Sequence, residues 1–125
     1  METRESIIQN YIHAYNAFDI ERMLFDLDQD ITFENISNGE TNLSLNGLTA
    51  FRAQAEAAKD LFSERTQTIK SFTHHPDATE VAIAYKGILA LDLPNGLKKG
   101  DTVQLAGKSV FRFSGDKIIQ LTDIS

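Results

Sequence analysis

Between Thr3 and Phe18 the apolar residues Ile8, Tyr11, Ile12, Tyr15 and Phe18 recur at offsets of three and four, which gathers them on one stripe of an amphipathic helix. Tyr11 and Tyr15 therefore share a face. Asp19 is a suitable N-cap for a second, short helix over Ile20 to Leu27, whose Met23, Leu24 and Leu27 close over the same core. From Ile31 to Ser37 the period changes to two: Ile31, Phe33 and Asn35 fall on one side, Thr32, Glu34 and Ile36 on the other, as in a strand with a polar residue on each face. The polar, glycine-bounded stretch Gly39 to Gly47 reads as a loop. Thr49 to Phe62 is rich in strong helix formers and predicts a third helix buried through Phe51, Ala55, Ala58 and Phe62.

Alternating, β-branched segments follow at Arg65 to Thr73, Thr79 to Leu91, Thr102 to Ser114 and Lys117 to Ile124. Ser114-Gly115-Asp116 marks a tight turn, and Leu93-Pro94-Asn95-Gly96 a longer connection, so the late strands form an antiparallel meander. Helices ahead of such a run predict an α+β domain in which three helices from the N-terminal half pack on the concave face of a curved sheet. In the segment Thr79 to Leu91, Val81, Ile83, Tyr85 and Leu89 share one side. The opposite side, with Ala82, Ala84, Ile88 and Ala90, is also apolar, more so than a water-facing surface requires. A homodimer paired through the outer sheet face is expected from this pattern.

The 125 residues suit one domain spanning 1–125, with no linker, repeat or low-complexity tract. Eighteen Asp and Glu against 12 Lys and Arg leave a net charge of -6, which argues against nucleic acid or an anionic membrane as partner. The absence of cysteine excludes disulfides, thiolate nucleophiles and sulfur-ligated zinc. The start METRESIIQNY resembles neither a secretory signal nor a membrane anchor, so a cytoplasmic protein is expected.

The order of elements and the text YIHAYNAFDIERMLFDLDQDITFEN, with the late hairpin text FRFSGDKI, resemble the nuclear transport factor 2-like superfamily, which includes ketosteroid isomerases and SnoaL-like polyketide cyclases. The likeness covers essentially the whole chain and implies a cone-shaped fold with an apolar pocket at its open end. By this resemblance Tyr11 falls where the isomerase has its oxyanion-binding tyrosine. Asn35 falls at the isomerase's catalytic aspartate, and Ser109 at its protonated oxyanion-binding aspartate. An amide has no accessible basic state and cannot serve as general base, so steroid isomerase activity by that mechanism is rejected.

Other titratable candidates are Glu34, Asp123 and His13. Strand alternation sends Glu34 to the face opposite Asn35, where Lys108 and Arg112 could pair with it, while His13 lies 200° around the helix from Tyr11 and should be solvated. His74 and His75, adjacent on a strand, point to opposite faces and do not make a metal site; neither metal nor cofactor is expected. The expected ligand-lining residues are Tyr11, Tyr15, Asn35, Tyr85, Ser109 and Asp123. Three functions remain open: a binder of a small hydrophobic or aromatic molecule; an isomerase, cyclase or dehydratase using Tyr11 and Asn35; and a dimeric association domain.

Overall fold

The first helix, α1, runs Arg4–Asn16 in the computed structural model, which describes residues 3–125. Thr3 caps it, its hydroxyl accepting from the Ser6 amide at 3.1 Å, and Ile7, Ile8, Tyr11 and Ile12 form the buried stripe. The helix closes with the Asp19 backbone N–H donating a hydrogen bond to the Ala14 carbonyl, and Phe18 stands at φ 58°. That left-handed conformation costs a non-glycine residue about 1 kcal/mol. The second helix, α2, spans Ile20–Leu24 and is capped as expected, the Asp19 carboxylate accepting from the Arg22 amide at 3.2 Å. It ends sooner than its apolar pattern suggests: Leu27 opens the first strand, β1 (Leu27–Ser37), because there it pairs with Ile118 of the last strand.

The segment expected as a loop is instead a second strand, β2 (Glu40–Asn46). Asn38 (φ 53°) and Gly39 (φ 79°) make a two-residue turn with both residues left-handed, and Ser37 pairs directly with Glu40. Asn-Gly is the dipeptide that such a hairpin requires. Leu43 and Leu45 alternate inward along the new strand while Ser44 and Asn46 face water. The third helix, α3, covers Leu48–Lys59 and buries Phe51 and Ala55. Phe62, expected on its stripe, begins β3 (Phe62–His74) after a one-turn break at Asp60 and Leu61.

Strands β4 (Ala78–Leu89), β5 (Thr102–Ser114) and β6 (Lys117–Ile124) complete a six-stranded curved sheet in the order β2-β1-β6-β5-β4-β3. All neighbours are antiparallel except β1 and β6, which run parallel because β1 enters the sheet from the helices and not from a hairpin with β6. The helices pack on the concave face. There Ile7, Ile8 and Ile12 meet Ile31, Val81, Phe111, Ile118 and Leu121, all nearly or fully buried. Full burial of each such side chain contributes roughly 1.5–3 kcal/mol. The Asn16 side chain donates to the Gln67 carbonyl and accepts from the Gln67 amide, at 3.1 and 2.8 Å, so the end of α1 satisfies backbone groups on the edge strand β3.

Candidate functional site

Strand register builds the site. Asn35 of β1 stands opposite Asp123 of β6, and Asp123 opposite Ser109 of β5, so the three lie side by side in one row of the concave face. The row opens on a cavity of about 400 Å³ between α1, α3 and the sheet. Its apolar wall comes from Met23, Phe33, Phe51, Phe62, Val103 and Leu105 with Leu43 and Leu45 of the unforeseen strand; Tyr11, Tyr15, Asn35, Tyr85, Gln54, Arg65 and Asp123 are its polar members. A smaller hollow of about 170 Å³ adjoins it, sharing Tyr15, Asn35, Tyr85, Leu105 and Asp123 and reaching Ser109. Five of the six residues expected to line a pocket thus meet at the larger cavity, and Ser109 stands behind them.

Ser109 is buried and donates a 2.7 Å hydrogen bond to Oδ1 of Asp123. Asp123 keeps some exposure because it opens on the cavity, but protein surrounds its carboxyl closely enough that burial pushes the pKa up to about 6, against the opposing pull of the Ser109 bond. The carboxyl in this row therefore comes from the strand that lies between those of Asn35 and Ser109. Asn35 is committed elsewhere: its Nδ2 donates to Oδ1 of Asn42 on β2 at 2.8 Å, beside the bulge where the β1 and β2 register shifts.

Tyr11 packs edge-on against Phe111 with centroids 5.7 Å apart. Burial holds its phenol well above the ordinary range, and the negative charge of Asp123 pushes the same way, so Tyr11 remains a neutral donor. Tyr15 and Tyr85 share a 3.0 Å hydroxyl–hydroxyl hydrogen bond, and burial with the contact to Tyr15 likewise raises the Tyr85 phenol. Below them lies Arg65, 3 % exposed, whose guanidinium stacks 3.7 Å from the Tyr15 ring centroid and 4.5 Å from that of Phe18. Its Nε donates to the Tyr15 carbonyl at 2.9 Å. In the sequence Arg65 carries no signal beyond the inward parity that it shares with Gln67 and Ile69 on the same strand.

Other expectations resolve away from the cavity. His13 is exposed. Lys108 and Arg112 do not pair with Glu34; they engage Glu80 and Asp77, both at 3.3 Å, because β5 lies beside β4 and not beside β1. His74 bonds Glu5 and Thr79 while His75 turns to Glu80, and no cluster of three or more His, Cys, Asp or Glu side chains among the described residues is placed to hold a metal ion. No helix among them is long and apolar enough to cross a membrane.

Residues 8–121 match the family described as the SnoaL-like domain. The chain belongs to this SnoaL-like family. Its fold matches a candidate polyketide cyclase from Xanthomonas campestris pv. campestris (19 % identity, 97 % of this chain and 88 % of that one, TM-score 0.81). IdmH, a candidate polyketide cyclase from Streptomyces antibioticus, is similar at 12 % identity, over 98 % and 91 % of the two chains, with TM-score 0.81. AclR, a candidate hydroxylase from Streptomyces galilaeus, is similar at 16 % identity, over 96 % and 86 %, with TM-score 0.76. A comparison with curated proteins finds no significant match. At these identities the likeness establishes the SnoaL-like fold, and that fold carries more than one designation among its neighbours.

Proposed function

We propose that this SnoaL-like protein catalyses proton transfer at a carbon next to a carbonyl group in a small, largely apolar molecule, the chemistry that an isomerase or an aldol-type cyclase requires. The reading rests on Asp123: a carboxyl at the cavity wall whose pKa is raised to about 6 is ionised at neutral pH yet basic enough to accept a proton. In this scheme Asp123 takes the proton from the α-carbon and the electron pair moves onto the carbonyl oxygen. A tyrosine hydroxyl at the cavity stabilises that oxygen by donating to it, with Tyr11 the member whose phenol feels the Asp123 charge. In an isomerase the proton returns to another carbon. In a cyclase the enolate carbon attacks a second carbonyl, and Asp123 returns its proton to the alkoxide. Neighbours described as candidate polyketide cyclases favour the second outcome.

The aromatic wall fits a ring-bearing substrate, and the arrangement needs no cofactor. Deuterium wash-in to the α-positions of 2-tetralone, followed by proton NMR at pD 7.5, tests the scheme without knowledge of the natural substrate. Wild type should exchange on the order of 10²-fold faster than Asp123→Asn. Equal rates would remove Asp123 as the base and leave a binding role for the cavity. The convex face, where Ala82, Ala84 and Ile88 are part-exposed and Ala106 is exposed, supports a homodimer in which the two sheets meet back to back.

A further inference from the structure

Arg65 presents a second, independent chemical feature in the same cavity. A guanidinium is charged at all accessible pH values, and burying one without a counter-charge is strongly unfavourable. Arg65 nevertheless has no carboxylate within ion-pairing distance among the described residues, and its Nη2 is fully enclosed with no hydrogen-bond partner. Asp123, the acidic residue of the same cavity, forms no ion pair with it and is instead hydrogen-bonded to Ser109. The group is not loosely placed: the Tyr15 and Phe18 rings both pack against the guanidinium, Nε is tied to the Tyr15 carbonyl, and Phe18 has a left-handed backbone.

Arg65 is among the residues lining the apolar cavity, and a fixed cation there with no carboxylate partner among the described residues is an anion receptor. We propose that Arg65 binds the carboxylate of the ligand, so that the cavity selects an aromatic or apolar carboxylic acid over its neutral analogue. This rests on reading the cavity as the ligand site and adds the substrate class: the carboxylate is held at β3, and the body of the molecule extends along the aromatic wall toward Asp123 on β6, three strands away. The protein's net charge of -6 gives an anion no general attraction, so the selectivity belongs to Arg65 locally.

Calorimetric titration of the full chain at pH 7.5 with 2-naphthoate and with 2-naphthamide, which share the ring system and differ in charge, tests the assignment. Wild type should bind naphthoate at least about tenfold more tightly than the amide. Arg65→Met should lose that preference while still binding the amide, Arg65→Lys should keep part of it, and Asp123→Asn should retain it. Equal affinity of wild type for both probes overturns the role of Arg65 while leaving the cavity a binding site. Binding of neither probe overturns the cavity reading and the inference together. Because the wild-type comparison needs no variant, a fold defect in Arg65→Met does not protect the proposal, and loss of 2-tetralone exchange in Asp123→Asn bears on the base alone.

Discussion

Replacing Asp123 by Asn should stabilise the protein at neutral and alkaline pH and leave it nearly unchanged near pH 4. Burial lifts the Asp123 carboxyl from 3.8 to about 6, so the folded state holds this proton more tightly than the unfolded chain does. The stabilisation from that proton is complete below the unfolded value, declines as pH rises through about 6, and is gone above it. A rise of about two units at roughly 1.4 kcal/mol each corresponds to about 3 kcal/mol. Water reaching the carboxyl through the cavity lowers the expected effect to about 1.5–3 kcal/mol. Asparagine keeps the oxygen that accepts from Ser109 but cannot ionise. Urea unfolding of both proteins in steps from pH 4 to pH 8 gives the difference directly, since the remaining carboxylates titrate in both and cancel. The variant's advantage should grow between about pH 4 and pH 6 and then level off. A difference independent of pH, or one that shrinks as pH rises, would refute the buried, raised carboxyl.

Four further outcomes follow from the same geometry. Ser109→Ala removes the hydrogen bond that opposes the burial effect, so the Asp123 carboxyl should titrate higher still, visible as an upward-shifted midpoint in carbon-13 NMR of the side-chain carboxyl. Tyr85→Phe breaks the 3.0 Å bond to Tyr15 and should cost about 1 kcal/mol in denaturant melts; no loss would mean that water replaces the bond. Gly107→Ala places a methyl against the Ile124 carbonyl, a backbone atom that cannot swing aside, and should destabilise by about 1–3 kcal/mol while disturbing the β6 end that carries Asp123. Gly39→Ala sits in open space but at φ 79°, so a loss of about 1–2 kcal/mol would come from backbone strain alone, and an unchanged stability would argue against the two-residue turn.

Periodicity made much of this protein legible from its residues. The stripe of α1, the Asp19 cap and the four late strands depend on local spacing and capping chemistry, and they stand where the pattern places them. Strand parity also put Tyr85, Ser109 and Asn35 on the inner face. The errors have local causes as well. Glu40 to Asn46 is polar because β2 is an edge strand with one wet face, and composition hid a strand that its Asn38-Gly39 turn announces. Leu27 and Phe62 are apolar in helix and strand alike, so only their partners, Ile118 and Leu89, decide which element they join.

What the chain's own text determined is therefore the helices and late strands, their inward faces and the family to which they belong, but not β2. Tertiary structure alone decided that β6 inserts between β1 and β5, because strand order depends on long-range pairing that no local period encodes. That one insertion sets Asp123 between Asn35 and Ser109 and brings a carboxyl to the cavity wall. The same holds for Arg65, an ordinary charged residue in sequence. Only the packing of Tyr15 and Phe18 against it, with no carboxylate in ion-pairing distance among the described residues, makes it a buried cation at the cavity wall.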